Sequence, residues 1–308
     1  MGIIAGIVLF NPDVIRLKEN IDAIYMQVES ILCVDNHSKN FKEIKDLLKK
    51  YKNISIIKNT ENFGIAKALN QIAQQAEKQR AEWVLTLDQD SVSPQNIIYE
   101  YSKYLGIENL AIISPAIIDR NRHYKNKTGD RNILLENNSN SQLRDYTFVD
   151  ACITSASLIN LKIWRKTGGF DEVMFIDEVD FEYCRRVVKN GYKIIVANKV
   201  LVLHEIGHIM VRRFLFWKIN VMNHSAFRKY YMVRNKLYSE RKHRKRIRFI
   251  NYMRILKIAL TIILYEDDKA KKLRSVAIGF KDGRKMKPQP EHITDIEYSK
   301  IQAIKFIQ

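Results

Sequence analysis

The first 118 residues alternate short apolar runs with longer stretches in which apolar residues recur at helical spacing. Such alternation is typical of parallel strands joined by crossover helices, so it predicts an α/β fold around a parallel sheet. Pro12, just inside the first helical stretch, and Gly64, before the third, are suitable start signals for helices. The predicted strands cover residues 3–10, 31–35, 54–58, 83–88 and 111–114, and the predicted helices cover residues 14–28, 41–51 and 65–78.

Two carboxylates follow the fourth predicted strand. The apolar run 83–87 ends in Asp88-Gln89-Asp90-Ser91, which places Asp88 and Asp90 at the carboxyl edge of the sheet, where open α/β folds bind ligands. Oxygen ligands of this kind suit Mg²⁺ or Mn²⁺, which proteins hold with one or two carboxylates, water and substrate phosphate. The pattern therefore indicates a phosphate-bearing substrate. The alternative is a pair of solvated loop acids after a buried strand.

Another carboxylate, Asp35, closes the second predicted strand in the sequence Val34-Asp35-Asn36-His37-Ser38. A carboxylate in this place can accept hydrogen bonds from a nucleobase or a ribose, although an Asp-Asn turn fits the same residues. The chain has no Gly-x-Gly-x-x-Gly after its first strand and no Gly-x-x-x-x-Gly-Lys. Neither a nicotinamide dehydrogenase nor a Walker-type phosphatase is therefore supported.

The charge balance points to an anionic partner. The chain has 52 Lys and Arg against 34 Asp and Glu, a net charge of +18, and residues 211–260 hold 15 of these basic residues against one acid, Glu240. Nucleic acid, a nucleotide, anionic lipid and a phosphorylated carrier all fit such a charge. The three cysteines, Cys33, Cys152 and Cys184, lie in apolar runs, so we expect buried thiols without a disulfide framework or a zinc site.

The remaining segments complete the outline. We expect residues 1–10 to form a buried strand rather than a signal peptide, and residues 119–145, which are polar, to form a long mobile loop. An acidic helix is predicted over residues 179–190, followed by strands that end at residues 203–204. The longest later apolar run, residues 258–265, is too short to span a bilayer.

Five ordered blocks within residues 1–235 resemble inverting family-two glycosyltransferases with a GT-A fold. Three of the blocks are Val-Asp-Asn-x-Ser around Asp35, the run Asn62-Phe63-Gly64-Ile65-Ala66-Lys67-Ala68-Leu69-Asn70, and Asp88-Gln89-Asp90-Ser91. The other two are similar to the bacterial rhamnosyltransferase branch and read Thr167-Gly168-Gly169-Phe170-Asp171-Glu172 and Phe175-Ile176-Asp177-Glu178-Val179-Asp180-Phe181-Glu182-Tyr183-Cys184. The resemblance implies a Rossmann-like nucleotide-binding sheet with an acceptor-binding half.

The resemblance also implies a catalytic base. An inverting transferase needs a group that takes the proton from the acceptor hydroxyl on the side of the sugar opposite the leaving diphosphate. Asp180 matches the family's base in a segment usually written Glu-Asp-x-Asp, where this chain has Val179 and Glu182 at the flanking acidic positions. Asp177 is a rival base. The alternative for this acidic cluster is a first turn that complements a helix dipole.

Further roles follow from the same resemblance. The tyrosines and arginines of the block 228–235 are expected to line the acceptor groove and to clamp diphosphate, although a basic helix with buried tyrosines fits them equally well. The residues expected to bind the donor are Asp35, Asn62, Gly64, Lys67, Asn70, Asp88, Gln89, Arg228 and Arg234. The residues expected to bind the acceptor are Thr154, Ser155, Glu182, Tyr230 and Tyr231. The residues expected to hold Mg²⁺ or Mn²⁺ are Asp88, Asp90 and His204.

The predicted metal ligand His204 also begins a match to the zinc-protease pattern His-Glu-x-x-His, with His208 as its second histidine. That pattern needs a helix to bring both histidines to one face. The preceding run 200–203 is strand-like and Gly207 weakens a helix, so the protease reading is not favoured.

The C-terminal region is expected to be basic and mostly helical. Residues 241–248 carry a cluster of Lys and Arg and precede an amphipathic apolar stretch at 250–265. Such a pairing suits an anionic membrane surface, although a solvated charged face or nucleic acid also fits it.

The sequence therefore predicts a GT-A catalytic domain over residues 1–210, with a nucleotide-sugar half (1–118) and an acceptor half (119–210), and a helical region over 211–308. The expected activity is inverting transfer of L-rhamnose from dTDP-rhamnose to a lipid-linked bacterial surface polysaccharide. Another donor, such as UDP-galactofuranose, is the alternative within enzymes, and a nucleic-acid-binding protein is the alternative outside them. We expect a cytoplasmic protein, peripheral on the inner face of the plasma membrane, that does not act on nucleic acid and that can form a homodimer.

Overall fold

The computed structural model describes residues 2–119, 144–204, 210–214, 217–244 and 246–289. Its strands are β1 (Ile3–Leu9), β2 (Ser30–Asp35), β3 (Ile54–Lys58), β4 (Trp83–Asp88), β5 (Leu110–Asp119), β6 (Tyr146–Phe148), β7 (Ser157–Asn160), β8 (Lys193–His204), β9 (Met210–Phe214) and β10 (Trp217–Val221). Its helices are α1 (Val14–Ile24), α2 (Phe41–Leu48), α3 (Ile65–Lys78), α4 (Ile97–Ser102), α5 (Leu161–Lys166), α6 (Val179–Lys189), α7 (Ala226–His243), α8 (Phe249–Tyr265) and α9 (Lys269–Lys285).

The parallel half of the sheet confirms the predicted α/β fold. β1 pairs in parallel with β2 on one side and with β4 on the other, and β2 pairs in parallel with β3. The helix α1 begins as predicted but ends at Ile24, before residue 28. Its N-cap is Asp13, whose carboxylate accepts hydrogen bonds from the backbone N–H groups of Ile15 and Arg16. Pro12 therefore precedes the helix instead of lying inside it.

The other half of the sheet is mixed. β7 lies between β4 and β5 and is antiparallel to both, while β5 pairs in parallel with β8 and the edge strand β6 is antiparallel to β8. The order across the sheet is β3-β2-β1-β4-β7-β5-β8-β6, and β9 and β10 pair as an antiparallel hairpin. β5 continues to Asp119, beyond the predicted end at residue 114. Most of the predicted loop 119–145 lies outside the described residues.

Successive residues of the central strands face two separate cores. The core on one side buries residues of α1, α2 and α4, and the core on the other side buries residues of α3, α5 and α6. Gly6 of β1 lets α3 approach closely, since a Cβ there would lie 2.2 Å from a methyl carbon of Ile72. The two helical layers leave the carboxyl ends of the parallel strands as the edge at which a ligand site can form.

The helices α7, α8 and α9 pack together at the C-terminal end of the described chain. Val233 and Leu237 of α7, Ile255 and Ile262 of α8 and Val276 of α9 form their shared core. α9 lies close to α7 at two glycines: a Cβ at Gly279 or at Gly283 would lie 2.5 Å from a backbone carbonyl oxygen of α7. Within the described residues, no helix has the length and apolar character needed to cross a membrane. The domain boundary predicted at residue 210 stays a prediction.

A buried ion cluster joins α6 to the end of α7. Glu182 is fully buried and accepts hydrogen bonds from Arg186 at 2.7 and 2.8 Å, and Lys242 lies 3.0 Å from the same carboxylate. Lys242 also lies 2.6 Å from Asp171, and His243 lies 3.1 Å from Glu182. Burial by itself raises the pKa of Glu182, but the nearby cations outweigh it and hold this pKa well below its ordinary value. Glu182 was predicted to bind the acceptor; it is buried between Arg186, Lys242 and the ring of His243, which is a structural position, and its role in acceptor binding stays a prediction.

The variant Glu182→Gln should lower the free energy of unfolding by about 3 kcal/mol, because it leaves buried cations without their counter-charge. Denaturant unfolding at pH 7 measures this loss. The pKa of Glu182 is lower in the folded state than in the unfolded state, so its carboxylate stabilises the fold fully above the unfolded pKa of about 4.3. The difference in the free energy of unfolding between the variant and the wild type should therefore shrink as the pH falls below about 4. The control is Glu43→Gln, at an exposed position of α2, and an equal, small effect of both variants would contradict the assignment.

Candidate active site

Carboxylates meet at the edge formed by the ends of β1, β2 and β4. In the sheet register, Asp35 at the end of β2 lies opposite Leu9, and Asp88 at the end of β4 lies opposite Val8. The loop after β4 is tied to the end of β1 by the side-chain amide of Gln89. Its oxygen accepts a hydrogen bond from the N–H of Phe10 at 2.9 Å, and its nitrogen donates to the carbonyl of Phe10 at 3.3 Å. The side chain of Gln89, which was predicted to bind the donor, therefore holds the loop after β4 against the backbone that follows β1.

Asp35 is fully buried at this edge. Both of its carboxylate oxygens lie within 3.3 Å of the backbone N–H of Ser38, which donates to them. This is the Asp-Asn turn that the sequence left open beside nucleotide binding. The role of Asp35 in binding a nucleoside stays a prediction.

Asp88 and Asp90 are partly exposed at the end of a strand. The Asp90 carboxylate has no hydrogen-bond or ion-pair partner among the described residues. Partly exposed carboxylates fit Mg²⁺ or Mn²⁺, which accept a few protein oxygens and complete their shell with water or phosphate. No cluster of three or more His, Cys, Asp or Glu that could hold a metal occurs in the part of the chain that the structure describes.

The third predicted metal ligand, His204, is the last residue of β8, paired in register with Asp119. The side chain of His204 and residues 205–209 lie outside the described residues. The position of His204 on a strand agrees with the view that this histidine does not begin a protease helix.

Asp180 lies in the first turn of α6 and lines a small cavity of about 10 Å³ together with Thr154 and Ser157. Its pKa is raised to about 7, chiefly by burial; the negative charges of Glu178 and Asp88 add to this rise, and backbone hydrogen bonds oppose it. The influence of Asp88 on this pKa places the two carboxylates within reach of each other's charge. A carboxyl group with a pKa near neutral is suited to take up a proton at physiological pH.

The rival base Asp177 is occupied by an arginine. Nε and Nη2 of Arg228 lie 3.1–3.3 Å from its carboxylate oxygens. Burial raises the pKa of Asp177, and Arg228 opposes this rise. Asp180 has no ion-pair partner among the described residues, so the two candidates differ in that Asp177 is neutralised by a cation. Arg228, predicted to clamp diphosphate, binds Asp177 here.

The segment before α6 adopts an unusual backbone conformation. Phe175, Asp177 and Glu178 all have positive φ angles, of 53°, 62° and 64°, and non-glycine residues of this kind need support from their surroundings. The support comes from Asn235 of α7, whose side-chain nitrogen lies 2.6–2.9 Å from the carbonyl oxygens of Met174, Ile176 and Asp177. The sequence analysis did not single out Asn235, although it belongs to the block 228–235.

The neighbouring side chains of α7 are also used for packing. Arg234 is buried, donates to the carbonyl of Val173, and lies over the ring of Tyr231 at 4.4 Å. Tyr231 is buried and stacks on Phe175 at 5.1 Å, and the hydroxyl of Tyr230 donates to Asp282 at 2.9 Å. Arg234 and Tyr231 were predicted to contact diphosphate and acceptor, and these roles stay predictions; their burial agrees with the alternative of a helix with buried tyrosines.

The block 62–70 connects α3 to the segment 170–175. Asn70 is buried and bonds the backbone of Phe170 in both directions, at 2.9 Å as donor and 2.8 Å as acceptor. Lys67 forms a 3.0 Å ion pair with Glu172. The amide of Asn70 is thus used within the protein and Lys67 pairs with a carboxylate. The donor-binding roles of both residues stay predictions.

At the start of the same block, the side-chain oxygen of Asn62 accepts a hydrogen bond from the N–H of Gly64 at 2.9 Å. Gly64 has a φ of 86°, and a Cβ there would lie 2.5 Å from the carbonyl oxygen of Phe175. A glycine is therefore required where α3 approaches the strained segment.

The predicted acceptor residues Thr154 and Ser155 lie next to the carboxylate edge. The buried hydroxyl of Ser155 is 2.9 Å from that of Ser91, which directly follows the Asp-x-Asp pair. Thr86 of β4 donates to the carbonyl of Thr154 at 2.6 Å. Ser155 thus links two loops, while Thr154 borders the Asp180 cavity.

Comparison with known proteins agrees with this geometry. The family described as "Glycosyl transferase family 2" matches residues 7–168. A relative from Shigella flexneri, the dTDP-rhamnosyl transferase RfbF, is 31% identical over 240 residues, which cover 76% of this chain and 78% of RfbF.

Solved structures share the fold at low identity. GalNAc-T7, solved with UDP, GalNAc and Mn²⁺, has a TM-score of 0.58 and 14% identity; the match covers 92% of this chain and 56% of GalNAc-T7, so the chain spans little more than half of that protein. Residues 1–349 of Staphylococcus aureus TarS, solved in complex with UDP-GlcNAc, have a TM-score of 0.51 and 14% identity over 92% of this chain and 72% of theirs. These likenesses establish a GT-A fold. The family match over more than half of the sequence and the 31% identity to RfbF show that the chain belongs to glycosyl transferase family 2.

Proposed function

We propose that this glycosyltransferase moves L-rhamnose from dTDP-rhamnose, with inversion, to a hydroxyl group of a lipid-linked bacterial surface polysaccharide. The observation that carries the proposed chemistry is the pair of carboxylates Asp180 and Asp88, of which Asp180 has a pKa near 7. The sugar and nucleotide are supported by the 31% identity to a dTDP-rhamnosyl transferase. A UDP-linked sugar is the competing donor, because TarS and GalNAc-T7 were both solved with UDP or a UDP-sugar.

In the proposed reaction, Asp180 removes the proton from the acceptor hydroxyl as that oxygen attacks the sugar. A base must be ionised to act, and the pKa of about 7 makes Asp180 far more basic than an ordinary carboxylate while leaving a large ionised fraction at neutral pH. Attack from the side opposite the leaving group gives inversion. Asp177 is less suited to the task because Arg228 binds its carboxylate.

The proposed metal ligands are Asp88 and Asp90, with His204 as a third. The carboxylate oxygens of Asp88 and Asp90 fit Mg²⁺ or Mn²⁺, and GalNAc-T7 was solved with UDP, GalNAc and Mn²⁺. A divalent ion bound there supplies positive charge that stabilises a leaving diphosphate. The residues of this chain supply the ligands at the strand end, and Gln89 fixes their loop against Phe10.

The variant Asp180→Asn should lower turnover by about 10²–10⁴-fold, because the amide cannot accept the acceptor proton. Binding of dTDP, measured by calorimetry, should stay within a few-fold of the wild type. Asp177→Asn is the matched variant, and it should retain more activity than Asp180→Asn. Turnover of Asp180→Asn within threefold of the wild type would refute Asp180 as the base.

The pH dependence of kcat/KM should show an acidic limb whose apparent pKa lies well above the ordinary aspartate value, since burial raises the pKa of Asp180 and its protonation removes the base. The variant Glu178→Gln removes one of the negative charges that raise this pKa, so the limb should move to lower pH. A limb near pH 4 in the wild type, or one that does not move in Glu178→Gln, would contradict the assignment.

The donor and the metal can be tested by thermal unfolding with dTDP, UDP or GDP, each with and without Mn²⁺. A ligand that binds the folded state raises the Tm in proportion to RT ln(1 + [L]/Kd). We expect the largest rise with dTDP and Mn²⁺ together, and a smaller rise in Asp90→Asn. A larger rise with UDP would favour the competing donor, and equal rises with and without Mn²⁺ would argue against metal-assisted binding.

A further inference from the structure

One face of α8 is apolar and open to solvent. The residues Phe249, Met253, Leu256, Leu260 and Ile263 follow one another at intervals of four, three, four and three, and each is 44–75% exposed. At 3.6 residues per turn, these positions fall within an arc of about 80° on the helix surface. We refer to these five residues as the α8 stripe.

The opposite face of α8 is fixed to the protein. Ile255 and Ile262 are buried against Val233 and Leu237 of α7 and against Val276 of α9. The helix is therefore anchored by its packed side. The apolar side chains of the α8 stripe stay largely exposed among the described residues. An exposed apolar surface of this extent usually marks a site of interaction.

The charges around the stripe select the kind of partner. Residues 241–265 include eight Lys and Arg and no Asp or Glu. Arg254 and Lys257 are exposed on α8 itself, and α9 adds exposed Lys271 and Arg274. A second copy of this chain would bring the same positive charge to the interface, whereas an anionic lipid surface would neutralise it.

We propose that the α8 stripe docks into the surface of an anionic lipid bilayer, with Lys257, about 80° around the helix from the centre of the stripe, contacting lipid headgroups beside it. An apolar helix face bordered by basic residues is the pattern of helices that lie in the plane of a membrane interface. α7 contacts α8 through Val233 and Leu237 and also carries Arg228, which binds Asp177 in the active site. Docking would thus hold the active site near the membrane surface. The proposal does not depend on the identity of the donor.

The test is sedimentation of the full chain with two kinds of vesicle. One kind is phosphatidylcholine alone, and the other is phosphatidylcholine with about 30% phosphatidylglycerol, roughly a physiological anionic content. The wild type should bind the anionic vesicles, and raising the salt concentration should weaken this binding. The double variant Leu256→Asp/Leu260→Asp should reduce the partition coefficient by at least about tenfold, because it places charges in the apolar contact. The variant Lys257→Gln should reduce it by roughly fivefold for anionic vesicles only.

The matched control is Ile15→Asp/Met26→Asp, which makes the same change of charge at two exposed apolar residues outside α8, 73% and 88% exposed. Its vesicle binding should stay within about twofold to threefold of the wild type, since only the overall charge changes. Circular dichroism melting establishes that each variant is folded. Equal losses in the stripe variant and in the control would overturn the proposal. It would also be overturned if sedimentation velocity showed a wild-type dimer that the stripe variant dissociates without any change in vesicle binding.

Discussion

The hydrogen bonds from the side-chain amide of Asn235 to the segment 174–177 are the interaction on which the catalytic geometry depends. The chain there takes left-handed backbone conformations, each of which costs on the order of 1–3 kcal/mol for a residue other than glycine. With this segment held, α6 begins at Val179 and directs Asp180 to the small cavity that Thr154 and Ser157 also line. A helix that follows the sheet in the chain therefore positions the residue proposed as the base.

The site also shows how one helix carries two carboxylates with opposite properties. Glu182 is buried, but the positive charges of Arg186 and Lys242 and the hydrogen bonds from Arg186 and His243 hold its pKa low. Asp180, two residues earlier, is surrounded by protein and feels the negative charge of Asp88, so its pKa rises to about 7. Because residues two apart point to different sides of a helix, the same turn contributes one structural anion and one carboxyl group with a pKa near neutral.

The parallel half of the fold was readable from the sequence because each buried strand is a short apolar run that ends in turn residues, and each crossover helix has apolar residues at helical spacing. The antiparallel strand β7 was not readable from the sequence. The apolar residues of the run 148–159 show no periodicity that would separate a four-residue strand from a loop. The order of the motifs also indicated the positions of Asp88 and Asp180. It did not indicate which side chains hold the surrounding segments together. Asn70 bonds a residue 100 positions away, at Phe170, and Arg234 packs on the segment before α6. A pattern of polar residues identifies a site but does not say which side chains the protein uses to hold its own segments together.

The central claim is that Asp180 titrates near neutral pH beside the Asp88 carboxylate. The most direct measurement is a carbon-13 NMR titration of aspartate side-chain carboxyl groups in the metal-free protein, with Asp180→Asn used to assign the resonance. We expect one carboxyl resonance with an apparent pKa of about 7 in the wild type, and this resonance should be missing from Asp180→Asn. An Asp180 resonance that titrates near the ordinary aspartate value of about 4 would contradict it.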